Sequence, residues 1–108
     1  MALSYTPLVQ ARENSTNAAT LYTPGAGETA EIVLKISNLH TDSVLVRVFH
    51  DIDGSTYNEA SALVWDFDLD AGMFLSLSGI KMDENGSLGY RSSIANALTA
   101  TVYGIVYS

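Results

Sequence analysis

The sequence predicts an all-β fold, a jelly-roll-like antiparallel sandwich of about eight strands. Three observations predict it. Apolar and polar residues alternate with period two through most of the chain from Ala30 onward, turn-forming residues separate these runs, and no segment sustains a helical period. The repeat of strand plus turn is roughly ten residues, the rhythm of a sandwich or barrel.

Residues 1–18 are read as an N-terminal arm and residues 19–108 as the sandwich domain. Within the arm, Leu3, Tyr5, Leu8 and Val9 are apolar enough to pair as a short strand, whereas residues 10–17 are polar and without a period. Such a segment is expected to order against a neighbour, by adding a strand to a sheet edge or lying along a partner's surface. Next, Ala30, Ile32, Leu34 and Ile36 alternate with Glu31, Val33, Lys35 and Ser37. Val44, Val46 and Val48 alternate with Leu45, Arg47 and Phe49, so that strand is apolar on both faces. Leu63, Trp65, Phe67 and Leu69 oppose Val64, Asp66, Asp68 and Asp70, which predicts that the first four form the centre of the core. Leu98, Ala100, Val102, Gly104 and Val106 alternate with Thr99, Thr101, Tyr103, Ile105 and Tyr107, β-branched and aromatic throughout. Turns are expected at Pro24–Gly27, Asn38–Asp42, Asp53-Gly54, Ala71-Gly72 and Asp83–Gly86. Only Tyr57–Ala62 and Ser92–Ala97 could form a helical turn.

With 108 residues the chain fits a single domain. Charged residues make up 16% of it, below the roughly 25% usual in soluble domains. That is the composition of an exterior covered by partners, and equally of a Ser- and Thr-rich sandwich. The net charge of −7 argues against direct nucleic-acid binding, which needs a basic stripe, and against anionic membranes. With no cysteine there is no disulfide, thiolate site or cysteine nucleophile. The N-terminal residues lack the basic and apolar regions of a signal peptide, no apolar run approaches the roughly 20 residues of a membrane span, and synthesis in an aqueous cytosol is expected.

Residues 51–59 concentrate oxygen ligands, and Asp51, Asp53 and Glu59 are the candidates for calcium. The EF-hand pattern fails, because Gly54 comes two positions early and Glu59 falls at position nine. A turn built on Asp53-Gly54 is the competing reading. Asp66, Asp68 and Asp70 fall on one face of a strand, as a metal or basic-partner site or as a solvated face. His40 and His50 have no second ligand at metal spacing. No G-x-S-x-G elbow is present, and Gly25-Ala26-Gly27 lacks the context of a phosphate loop. No catalytic site, and hence no enzyme and no cofactor, is expected.

Three stretches carry a resemblance to a known family. Ala19–Gly27 (ATLYTPGAG), Arg47–Tyr57 with Ala62–Asp66 (RVFHDIDGSTY, ALVWD) and Ala95–Gly104 (ANALTATVYG) resemble the corresponding segments of small tailed-bacteriophage virion proteins. The likeness covers about residues 19–107. The opening turn departs from the family's Val-Pro-Ala-Gly, dropping the Val and inserting a Gly at Gly25. The resemblance implies a β-sandwich or jelly roll in a phage particle: a capsid decoration or cement protein on the capsid exterior, bound to the major capsid protein. A tail, neck or fibre component is the alternative. A homotrimer would suit local three-fold axes of the shell, with Leu3, Tyr5, Leu8, Val9, Leu45, Phe49, Tyr103, Ile105 and Tyr107 as expected interface residues. From a different class comes a carbohydrate-binding module using exposed Tyr90, Tyr103 or Tyr107.

Overall fold

The computed structural model describes residues 5–108; Leu3 lies outside them. Eight strands follow one another: β1 (Thr6–Ala11), β2 (Ala19–Tyr22), β3 (Thr29–Asn38), β4 (Val44–Asp51), β5 (Ala62–Leu69), β6 (Phe74–Asp83), β7 (Ser87–Ser92) and β8 (Leu98–Tyr107). A short 3-10 turn, Glu59–Ser61, precedes β5. The first sheet has the order β1-β8-β3-β6 and the second β2-β7-β4-β5, with every pairing antiparallel. Consecutive strands mostly lie in opposite sheets, and this interleaving of two four-stranded sheets is the jelly roll.

The core forms where the inward positions of the two sheets meet. Ile32, Leu34 and Ile36 of β3 and Val102 and Ala100 of β8 face Val44, Val46 and Val48 of β4 and Leu88 and Tyr90 of β7, all buried in one apolar cluster. These are the central strands, so their alternation translates directly into burial.

Residues 6–11 correct the expected arm. They form β1, the edge strand of the first sheet, in register with β8 from Thr6↔Gly104 to Ala11↔Ala100. Leu8 and Val9 pack against this chain's own core rather than a neighbour's. The boundary drawn at residue 18 therefore cuts through the sandwich.

The reading of β5 as the heart of the core is also overturned. Leu63, Trp65 and Phe67 are 49%, 43% and 44% exposed, and only Leu69 is buried. Two physical causes combine. β5 is an edge strand, and its alternation is broken by a bulge at Asp66, whose φ is +52°. Val64 pairs with Val48 and Phe67 with Val46, so three residues of β5 span two of β4 and the faces switch between them. Leu63 and Trp65 consequently point outward. Asp66 nevertheless meets outward Arg47 and Asp68 lies opposite exposed Leu45, so both carboxylates remain on the outer side.

One end of the sandwich is knotted by Asn38, which is buried. Its Nδ2 donates to the carbonyls of Asp42 and Leu69, and its Oδ1 accepts from the His40 backbone N–H. Its own backbone N–H donates to Met73 and its carbonyl accepts from Gly72. One side chain thus fixes the β3–β4 and β5–β6 loops together.

Candidate functional site

The segment that carries the virion-protein resemblance, 47–57 with 62–66, folds over the outer face of the second sheet. Val46 and Val48 point into the core, so Arg47 and Phe49 point out. Phe49 is nevertheless buried, because the β4–β5 loop returns across it. Its ring lies 5.6 Å from that of Tyr57 and 6.3 Å, edge-on, from that of Trp65. Beneath Tyr57 is Gly89 of β7, where a β-carbon would meet the ring at 2.7 Å. The Tyr57 hydroxyl is hydrogen-bonded to the Thr20 hydroxyl at 2.6 Å, which ties the loop to β2.

Beside this aromatic layer, Arg47 binds both carboxylate oxygens of Asp66, at 2.6 and 3.1 Å, while its guanidinium lies 3.7 Å from the centre of the Trp65 ring. Hydrogen bonding from Arg47 holds the Asp66 carboxyl below the usual aspartate range. The planar guanidinium serves both contacts at once, which a lysine could not.

Asp51 closes the loop itself. Its carboxylate accepts the backbone N–H of Thr56 at 2.8 Å and of Asp53 at 3.2 Å, and these bonds, that of Thr56 foremost, lower its pKa. The calcium candidates Asp51, Asp53 and Glu59 are not gathered into one cluster. Asp51 spends its oxygens on the backbone, and Glu59 lies in the 3-10 turn capped by Asn58. Among the described residues no three His, Cys, Asp or Glu gather as a metal would require. The expected Asp53-Gly54 turn sits within a ten-residue connection, 52–61, not in a tight hairpin.

The outer face of the first sheet is different. Rows across its strands place Asp83, Thr29 and Tyr107 side by side, then Lys81, Glu31 and Ile105, then Val33 and Tyr103. The Tyr5 hydroxyl donates to Glu31 at 2.7 Å, a bond that raises the tyrosine above its ordinary pKa. Tyr5, Tyr103 and Tyr107 are exposed here and Ile105 is half-buried. An open depression of about 480 Å³ lies against Thr29, Glu31, Lys81, Asp83 and Tyr107.

Of the expected interface residues, then, Tyr5, Leu45, Tyr103 and Tyr107 are exposed. Leu8, Val9 and Ile105 are half-buried, and Phe49 is removed from any interface by Tyr57 and Trp65. Tyr90 is not a glycan platform either. It is buried in the core, burial raises its pKa, and its hydroxyl accepts the Glu13 backbone N–H. The residue that sequence reasoning passed over is Tyr57. The available signal was Gly89, a glycine inside a strand, which marks close approach of another group.

The fold places the chain in the class of eight-stranded jelly rolls. No protein-family model matches it, and no curated protein sequence matches it.

Proposed function

We propose that this domain is a structural protein of a tailed-bacteriophage virion, a capsid decoration protein that stabilises the head by bridging subunits of the major capsid protein. The observation that supports this best is the spread of exposed apolar side chains over both outer faces. Leu45, Leu63 and Trp65 lie on one and Tyr5, Tyr103 and Tyr107 on the other. Flat, mixed surfaces of this kind suit protein partners, each contributing about 800 Å² to a specific contact. Repetition over a symmetric shell converts modest contacts into avidity. The residues of the resembling segment serve architecture: the Arg47–Asp66 pair, the Tyr57–Gly89 contact and the Asp51 loop build a stiff module. The test is to add the purified protein to heads lacking it and map the particles by cryo-electron microscopy. Density for the jelly roll on the capsid exterior is expected, with heads that withstand more heating. Density confined to the tail or neck, or no binding, overturns the reading.

One observation favours a second reading, glycan binding. Tyr107 flanks the open depression beside Thr29, Glu31, Lys81 and Asp83, a stacking surface next to donors and acceptors. Titration with host-surface oligosaccharides, followed by tyrosine fluorescence and by loss in Tyr107→Ala, distinguishes it from the first.

A further inference from the structure

The two sides of the sandwich are closed differently. On the β1–β2 side the edges are protected. Pro7 has no N–H to offer, a bulge follows it, and β2 is only four residues long. On the opposite side β5 and β6 are the edges, and among the described residues no strand pairs with the outer edge of β6. From Phe74 to Ile80, β6 carries no charged residue, in a chain of net charge −7. Its inward side chains Leu75, Leu77 and Ile80 pack on the core but remain half-buried, unlike Ile32, Leu34 and Ile36 of β3 beside them. Phe67 and Phe74 add exposed aromatic surface along the same side. A long apolar edge without charge is what soluble proteins avoid unless another strand covers it.

We infer that a second copy of this chain covers it, with β6 pairing antiparallel with β6 across a two-fold axis over residues 74–78. This step goes beyond the proposed role in the virion and does not depend on it. Three observations select a second copy as occupant. Antiparallel pairing over 74–78 ends before the bulge at Gly79, whose φ of +73° already accommodates the pairing with β3. It sets apolar Leu75 and Leu77 of each copy together beneath the joined sheet and outward Phe74, Ser76 and Ser78 above it. It also brings Lys81 of each copy towards the turn containing Asp70 of the other, so opposite charges flank a stretch of β6 that itself carries none, with Lys35 of β3 lying over Phe74 behind it. The net charge of −7 works against contacts between charged surfaces, whereas residues 74–80 carry no charge. Two-fold pairing is moreover the commonest closed symmetry. It is a different assembly from the expected trimer, whose interface residues Leu45, Tyr103 and Tyr107 lie on outer faces rather than on a strand edge.

The experiment is sedimentation equilibrium of the full chain from micromolar to about 0.2 mM, alongside Ser76→Asp and the control Ala18→Asp. Ser76 is exposed and lies next to the proposed axis, so the variant keeps its fold while placing two carboxylates against each other. The dimer mass is expected for the wild type and the control, with a dissociation constant raised about tenfold or more in Ser76→Asp. Hydrogen exchange supplies a second readout: backbone amides of 74–78 should slow with protein concentration, and those of β1 should not. A monomer throughout, a trimer, open-ended aggregates, a dimer indifferent to Ser76→Asp, or exchange at 74–78 that ignores concentration would each overturn the inference.

Discussion

The ring of Tyr57 rests directly on the backbone of Gly89, where an added β-carbon would lie 2.7 Å from Cζ and 2.8 Å from both Cε atoms. This contact seats the long β4–β5 loop on β7 and buries Phe49 beneath it. Gly89→Ala should therefore force the ring away and cost about 1–3 kcal/mol, read from urea unfolding. In a Tyr57→Ala background the same change should cost almost nothing, because the obstacle is gone. Equal costs in both backgrounds would show that Gly89 is needed for another reason.

Trp65 and Ile36 should respond differently to truncation. Trp65 is 43% exposed and held by Arg47 on one side and Phe49 on the other. Its replacement by alanine should cost about 1–2 kcal/mol and leave a soluble, cooperatively melting protein. Ile36→Ala, at a fully buried position near the end of β3, should cost about 2–5 kcal/mol. The reverse order in thermal unfolding would restore Trp65 to the core.

Asn38 is predicted to be the polar side chain least tolerant of change. Asn38→Leu leaves the carbonyls of Asp42 and Leu69 without their donor, at about 1–3 kcal/mol for each that water does not reach. Exchange of amides in the β3–β4 and β5–β6 loops should quicken together, since this side chain joins them. Independent behaviour of the two loops would contradict that role.

Acid should loosen the β4–β5 loop before the sheets. Asp51 and Asp66 both have folded pKa values below the ordinary 3.8, Asp51 through the backbone N–H groups of Thr56 and Asp53, Asp66 through Arg47. A depressed folded value means the stabilisation is fully present above the unfolded pKa and is lost as pH falls through the folded one. The melting temperature should accordingly fall as pH drops below about 4. The slope should be shallower in Asp51→Asn and in Asp66→Asn, and unchanged slopes would place the acid sensitivity elsewhere.

The sequence by itself determined that the chain is β-structured, where most of its turns lie, and how β3 alternates, whereas β4 and β8 read as apolar on both faces and their inward sides were left open. β3 is central, flanked by β8 and β6, and its polar residues mark one side, so a period of two has one consistent meaning along its length. The resemblance singled out the stretches 47–57 and 62–66 without assigning their side chains a common task. Only the tertiary structure decided what they do. Whether Trp65 points in or out depended on one bulge at Asp66 and on β5 lying at an edge, and neither is written in local alternation. Most turns proved to carry the chain from one sheet to the other, because a turn residue fixes local φ and ψ but not the partner of the strand that follows. The fate of residues 6–11 was likewise decided by long-range pairing with β8, some 90 residues away in sequence. Local chemistry sets the elements, and the competition among sheet edges for partners sets where each one goes.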